Sequence, residues 1–176
     1  MTDPEVSAIL AARGGYGSMR ILDALPWDDF ARAPKWLAGF SDITALHAVA
    51  ASRNICTIHA PNATGLGRVI TAAERASFVR ALERPDADVV WSHLRVIGAA
   101  RDGAPRAGVV YGGNLALVCA MAAACCLSMP DGALLLLEDV TERPYRIDRM
   151  LTSLLLGGYL SRAGAIVFGG FEQCDP

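Results

Sequence analysis

Trp36-Leu37-Ala38-Gly39-Phe40-Ser41-Asp42-Ile43-Thr44-Ala45-Leu46-His47 is the stretch on which the fold turns. Its apolar first half predicts a short strand over 36–40, and the residues beyond Ser41-Asp42 predict a helix over 42–52. A strand that bends directly into a helix is half of a βαβ unit, and the same order recurs on both sides. Upstream, residues 6–12 read as a buried strand that stops at Arg13-Gly14-Gly15-Tyr16-Gly17, followed by a helix over 18–25, and Pro34 breaks the next segment. Downstream, 55–59 is a third strand closed by Pro61. Residues 71–84 then form a solvated helix with charges at Glu74, Arg75, Arg80, Glu83 and Arg84. Three strands, each followed by a helix, imply a mostly parallel sheet with right-handed crossovers.

The pattern shortens from Asp88 to Val110, with turn signals such as Arg101-Asp102-Gly103, and a boundary is placed within 86–98. Beyond it come Gly112-Gly113-Asn114 and an oily helix within 115–127. A buried strand over 133–137 then runs into Glu138-Asp139. Ile147, Met150, Leu151, Leu154 and Leu155 repeat at helical spacing, and Gly157-Gly158 supplies the stop. A last strand covers 163–170. The expected fold class is α/β. Residues 1–90 form a mostly parallel, flavodoxin/Rossmann-like sheet with flanking helices, incomplete as it stands, and residues 91–176 form part of a second α/β domain.

Composition narrows the function. Sixteen basic residues face 18 acidic ones, net −2, so nothing forms the basic stripe that grips a nucleic acid. The hydrophobic fraction of 53% is high for a soluble monomer and suggests a dimer interface or faces covered by further sequence. The longest apolar run is 13 residues, against about 20 for a bilayer span, so no membrane role is expected. Met1 leads straight into polar residues, without a signal peptide. Five cysteines without a C-x-x-C pair suggest buried, reduced thiols in a cytoplasmic protein, with neither a disulfide framework nor a metal site.

Several residues could carry chemistry. A serine at a strand-to-helix bend is lifted above the sheet edge, where the next N–H can hold an oxyanion. Ser41 fits, although Ile43 stands where the usual Gly-x-Ser-x-Gly elbow has its second glycine. The alternative is that Ser41 merely caps the helix, with Asp42 complementing its dipole. The glycines at 14, 15 and 17 form either a tight turn or an oxyanion cradle with Arg13 as a fixed charge; their spacing is not that of a dinucleotide loop. Glu138 and Asp139 either close the turn after their strand or supply an acid that orients a histidine. His47 lies six residues past Ser41 on the same helix and cannot easily face back, His59 ends a neighbouring strand, and His93 sits in the variable stretch. A nucleophile and an acid are therefore present, without a convincing base.

Taken together the motifs resemble the LD-carboxypeptidase family, which includes the microcin C self-immunity hydrolases. The matching stretches are Asp3-Pro4-Glu5-Val6 with Ala8-Ile9, Arg13-Gly14-Gly15-Tyr16-Gly17, Pro34-Lys35 and Gly39 through His47. Gly112-Gly113-Asn114-Leu115, Leu137-Glu138-Asp139-Val140, Tyr145 through Leu151 and Gly169-Gly170-Phe171 follow in order. The resemblance implies a cytoplasmic serine peptidase, without metal or cofactor, that cuts the L,D bond of murein tetrapeptides during cell-wall recycling. It implies Ser41 as nucleophile, Glu138 as the acid that orients the base, and amides at Gly15 and Asp42 as the oxyanion hole. It also implies Arg13 and Asn114 as substrate contacts, and a homodimer. His59-Ala60-Pro61-Asn62 departs from the family's His-Gly-Pro-Met, and 125–130 replaces a more regular turn. The family's histidine lies past the segment matching Gly169-Gly170-Phe171, so the expectation is a base beyond Pro176, further residues before Asp3, and a segment inactive alone. Three other readings stay open: a microcin-type amide hydrolase, a non-catalytic binding module, and a nucleotide-binding domain built on the glycine loop.

Overall fold

The computed structural model of the protein describes residues 1–67, 70–91, 94–98 and 104–175. Its strands are β1 (Ala8–Leu10), β2 (Trp36–Gly39), β3 (Ile58–His59), β4 (Val110–Asn114), β5 (Leu134–Val140) and β6 (Ala165–Glu172). The α-helices are α1 (Trp27–Arg32), α2 (Thr44–Ala51), α3 (Ala63–Leu66), α4 (Ala72–Glu83), α5 (Leu115–Ala123), α6 (Pro144–Leu156) and α7 (Tyr159–Arg162). The described strands form two parallel three-stranded sheets, ordered β1-β2-β3 and β4-β5-β6. The fold is α/β, as the alternation of strands and helices predicts.

Each sheet depends on its helices to cover a face. In the second sheet Tyr111, Leu135 and Leu137 point into a core filled by Leu115, Val118 and Met121 of α5 and Leu154 of α6. Phe30, Leu37, Ala45 and Ala48 of the first half join the same apolar cluster. Helix α2 packs on both α5 and β4, so the helix that begins just after Ser41 is also the joint between the sheets. Helix α4 behaves as a solvated helix should. Thr71 caps it in a reciprocal box with Glu74, and none of its residues is buried.

Several expectations need correction. The segment after the glycine loop is a 3₁₀-helix, Ser18–Ala24, because side-chain and backbone ties to Asp42 hold its first turn tightly. Strand β1 is short and largely exposed rather than buried, as suits the edge of its sheet. Gly112-Gly113-Asn114, to which the sequence assigned no element, is the end of β4, paired residue by residue with Leu136, Leu137 and Glu138. Two glycines at positive φ conceal that strand from any propensity reading. Glu138 and Asp139 lie inside β5, not past its mouth. The cysteines are mostly not buried: Cys174 is, Cys119 is half-buried, and Cys56, Cys125 and Cys126 are exposed. Helix α5 stops at Ala123, which leaves Cys125 and Cys126 in the turn beyond it. His93 and the Arg101-Asp102-Gly103 turn lie outside the described residues. Among the described residues, no helix is long and apolar enough to cross a membrane.

Candidate active site

The site begins at the end of β2. Phe40 is extended, and Ser41 then turns into the left-handed region at φ 64 before the chain enters a 3₁₀ turn (Ser41–Ile43) and α2. A left-handed backbone costs a non-glycine residue about 1–2 kcal/mol, so it persists only where the surroundings enforce it. This is the strained strand-to-helix elbow that raises a hydroxyl above a sheet. The capping alternative for Ser41 does not hold. Phe40 occupies the cap position, and the Ser41 hydroxyl has no hydrogen-bond partner among the described residues.

The glycine loop after β1 is fastened to this elbow at two points. A Cβ on Gly14 would stand 3.0 Å from both Cβ and Oγ of Ser41, so only glycine lets the two backbones come this close. Beyond the loop, the Ser18 N–H donates to the Asp42 carboxylate at 2.8 Å and the Ser18 hydroxyl donates to the Asp42 carbonyl at 2.5 Å. The side chain of Asp42 is thus a buried structural tie. Its own N–H and that of Gly15 have no acceptor among the described residues. The exposed Arg13 folds back on the loop and donates to the Gly14 carbonyl at 3.3 Å.

The second sheet brings its acid to the same place. The Asn114 N–H at the end of β4 donates to Thr44 Oγ1 at 3.0 Å, linking residues 70 apart in sequence. Gly113, at φ +131, comes so close that a Cβ there would lie 2.6 Å from Thr44 Oγ1 and 3.2 Å from His59 Nδ1. Asn114 pairs with Glu138 across the sheet. The carboxyl ends of both parallel sheets therefore meet at the first turn of α2, the position where open α/β sheets bind ligands.

The structure separates the roles of Glu138 and Asp139. Asp139 is buried and fully engaged, accepting from Asn114 Nδ2 at 2.9 Å, its neighbour Val140 N–H at 2.9 Å and Ala116 N–H at 3.0 Å. It sits at the start of α5, where a carboxylate complements the helix dipole. Glu138 faces the other way, and its Oε1 is buried without a hydrogen-bond partner. Burial, and then the Asp139 and Glu172 charges, push its pKa up to about 7, with the Asn114 amide offsetting part of the effect. Such a group is poised to receive a donor. Asn114 itself is occupied: it caps α5 through Leu117 N–H at 3.2 Å while holding Asp139.

Neither described histidine hydrogen-bonds Ser41 or Glu138 among the described residues. His47 is buried with Nε2 2.9 Å from the Gly39 carbonyl, and burial lowers its pKa. The His59 ring packs against Phe40 and His47 while its outer edge stays exposed. Enclosure of the ring, then the neighbouring His47, take its pKa down to about 4. A cleft of about 690 Å³ lies at the far end of α2, lined by Trp27, Arg32, Val49, Arg53 and Cys126 among others, and takes no part in the site. The sequence did not flag Thr44, Ser18 or Gly113. Each matters through a partner distant in sequence, and their only local signal is adjacency to the motifs.

Two family models match: the LD-carboxypeptidase N-terminal domain over residues 1–60 and the LD-carboxypeptidase C-terminal domain over residues 107–176. A relative from Streptomyces coelicolor is 42% identical over 99% of this chain and 56% of its own. The murein tetrapeptide carboxypeptidase of Pseudomonas aeruginosa is 36% identical over 97% of this chain and 58% of its own. The chain thus spans little more than half the length of these curated relatives. Among solved structures, the muramoyltetrapeptide carboxypeptidase of Oxalobacter formigenes superposes with a TM-score of 0.80 at 28% identity, covering 97% of this chain and 58% of that one. The microcin C7 self immunity protein MccF shares the fold, with a TM-score of 0.81 at 23% identity over 99% of this chain and 60% of its own.

Proposed function

This chain belongs to the LD-carboxypeptidase family, and from that premise we propose that it carries the nucleophile and the acid of a serine carboxypeptidase acting on murein tetrapeptides. Residues 1–90 supply Ser41 and residues 91–176 supply Glu138. The observation that carries the reading is the strained turn at Ser41, whose unbonded hydroxyl stands at the junction with the strand bearing an unpaired Glu138 oxygen.

Ser41 Oγ attacks the carbonyl of the L,D bond and passes its proton to a base. The free N–H groups of Gly15 and Asp42 receive the oxyanion, a term worth about 3–4 kcal/mol per donor in such sites. Collapse returns the proton to the leaving amine and frees the terminal D-residue, and water then hydrolyses the Ser41 ester. Glu138 orients the base, which the family resemblance assigns to a histidine beyond Pro176. Arg13, a cation beside the glycine loop, suits the substrate's free carboxylate. Asn114 bears on the substrate through the Glu138 and Asp139 carboxylates it steadies. Cell-wall recycling in the cytoplasm is the setting this substrate implies, and the family resemblance adds a homodimer.

A serine-directed phosphonate applied to the full-length protein is expected to add its mass to the peptide containing Ser41, and the Ser41→Ala variant is expected to lose tetrapeptide cleavage. Cleavage that persists in Ser41→Ala would remove the nucleophile from the mechanism.

A further inference from the structure

Asn62 is the first residue after Pro61 and stands at the N-cap of α3, yet its side chain makes no capping bond. Capping is the ordinary reason for asparagine at such a position. Instead the side chain is only 2% exposed and points under the elbow. Its Oδ1 accepts from the N–H of Phe40, the residue before Ser41, at 3.3 Å. Its Nδ2 lies 3.5 Å from where a Cβ on Gly14 would be, and that same point is 3.0 Å from Ser41 Oγ. No acceptor for Nδ2 is present among the described residues.

The backbone holds this amide in place. Ala63 N–H donates to the Ala11 carbonyl at 2.9 Å and Thr64 N–H to the Ala12 carbonyl at 3.1 Å, which ties α3 to the segment leading into Gly14. Gly39 lacks a side chain on the other flank, where a Cβ would meet Asn62 Oδ1 at 3.0 Å. One carboxamide therefore fills the gap between the end of β2 and the glycine loop. The two amides without an acceptor come from these two segments, Gly15 from the loop and Asp42 from the elbow.

We propose that Asn62 is a positioning residue that sets the spacing of the Gly15 and Asp42 amides around the Ser41 hydroxyl by holding the Phe40 N–H on one side and abutting Gly14 on the other. This rests on the serine-hydrolase reading above. A plain packing role would be met by an apolar side chain of equal volume, which could not accept the Phe40 N–H that Asn62 Oδ1 holds. Displacement of a reacting group by about 1 Å can cost on the order of 100-fold in rate, so the effect falls on turnover and not on ground-state binding.

The test compares wild type with Asn62→Leu, Asn62→Met and Asn62→Asp in the full-length protein. Tetrapeptide kcat and KM are measured beside the rate of Ser41 labelling by the phosphonate, with near-ultraviolet circular dichroism to confirm the fold. Asn62→Leu is expected to lower kcat and the labelling rate together by about 10- to 100-fold, with KM within about twofold. Asn62→Asp, which keeps an acceptor for Phe40, is expected to lose less. Wild-type kcat and labelling in folded Asn62→Leu or Asn62→Met would mean that volume alone suffices and would overturn the proposal. Labelled wild-type protein that leaves tetrapeptide uncut defeats the substrate reading, while the labelling rates still decide the role of Asn62. Absence of labelling in wild type and in Ser41→Ala alike would bring down both.

Discussion

In the 176-residue chain, where Glu138 Oε1 has no partner, replacing Glu138 by glutamine is expected to stabilise the fold. Burial and the neighbouring carboxylates raise Glu138 from 4.5 to about 7. Between those values the folded protein holds a proton that the unfolded chain has released. Stability contributed by this group therefore falls as pH rises from about 4.5, and the loss is complete above about 7. The full shift corresponds to about 3 kcal/mol. Water reaching the half-buried side chain reduces this to about 2 kcal/mol. Glutamine has nearly the same shape and no charge to desolvate. Glu138→Gln should thus match wild type near pH 4 and exceed it by about 2 kcal/mol at pH 8. His59 is lowered to about 4 in the fold, so its contribution rises with pH from about 4 towards 6.5, in the opposite sense, and the lowered His47 acts in the same direction as His59. The histidine contribution is common to both proteins and cancels in the difference. Urea denaturation at pH 4, 6 and 8 followed by circular dichroism measures that difference. A value that does not change with pH would refute the assignment of Glu138 as a destabilised, unpartnered carboxylate.

Two further outcomes follow from the backbone. Ser41→Gly relieves the left-handed strain that Ser41→Ala retains, so the glycine variant should be the more stable of the two by about 1 kcal/mol, net of its greater freedom when unfolded. Equal denaturation midpoints would argue against a strained elbow. Gly113→Ala places a Cβ 2.6 Å from Thr44 Oγ1 at φ +131, and clash plus strain should destabilise the protein by about 2–4 kcal/mol. A thermal midpoint close to that of wild type would mean that the two sheets do not meet there.

Ser41 and Glu138 were legible as candidates because each stands at or near the end of an apolar run, where a parallel sheet presents side chains to ligand. The base could not be found that way: His47 is bonded to the Gly39 carbonyl, His59 packs against Phe40 and His47, and neither hydrogen-bonds Ser41 or Glu138 among the described residues. Glu138 and Asp139 were indistinguishable on paper. Their division of labour depends on which side chain meets the start of α5, and that is a contact between residues 23 apart.

The sequence by itself determined the alternation of strand and helix, the solvated helix after Thr71, the helical face running from Ile147 to Leu155, and the glycine-rich loop and serine bend. These follow from hydrogen bonds and side-chain periodicities that span a few residues, so the local order of residue types suffices to specify them. Only the tertiary structure decided that Gly112 and Gly113 form a strand, that Thr44 joins the two sheets, and that Asn62 reaches beneath Ser41. Those arrangements arise where chain segments tens of residues apart come within about 3 Å. No local pattern encodes such a meeting, because its energy exists only once both partners have been brought together.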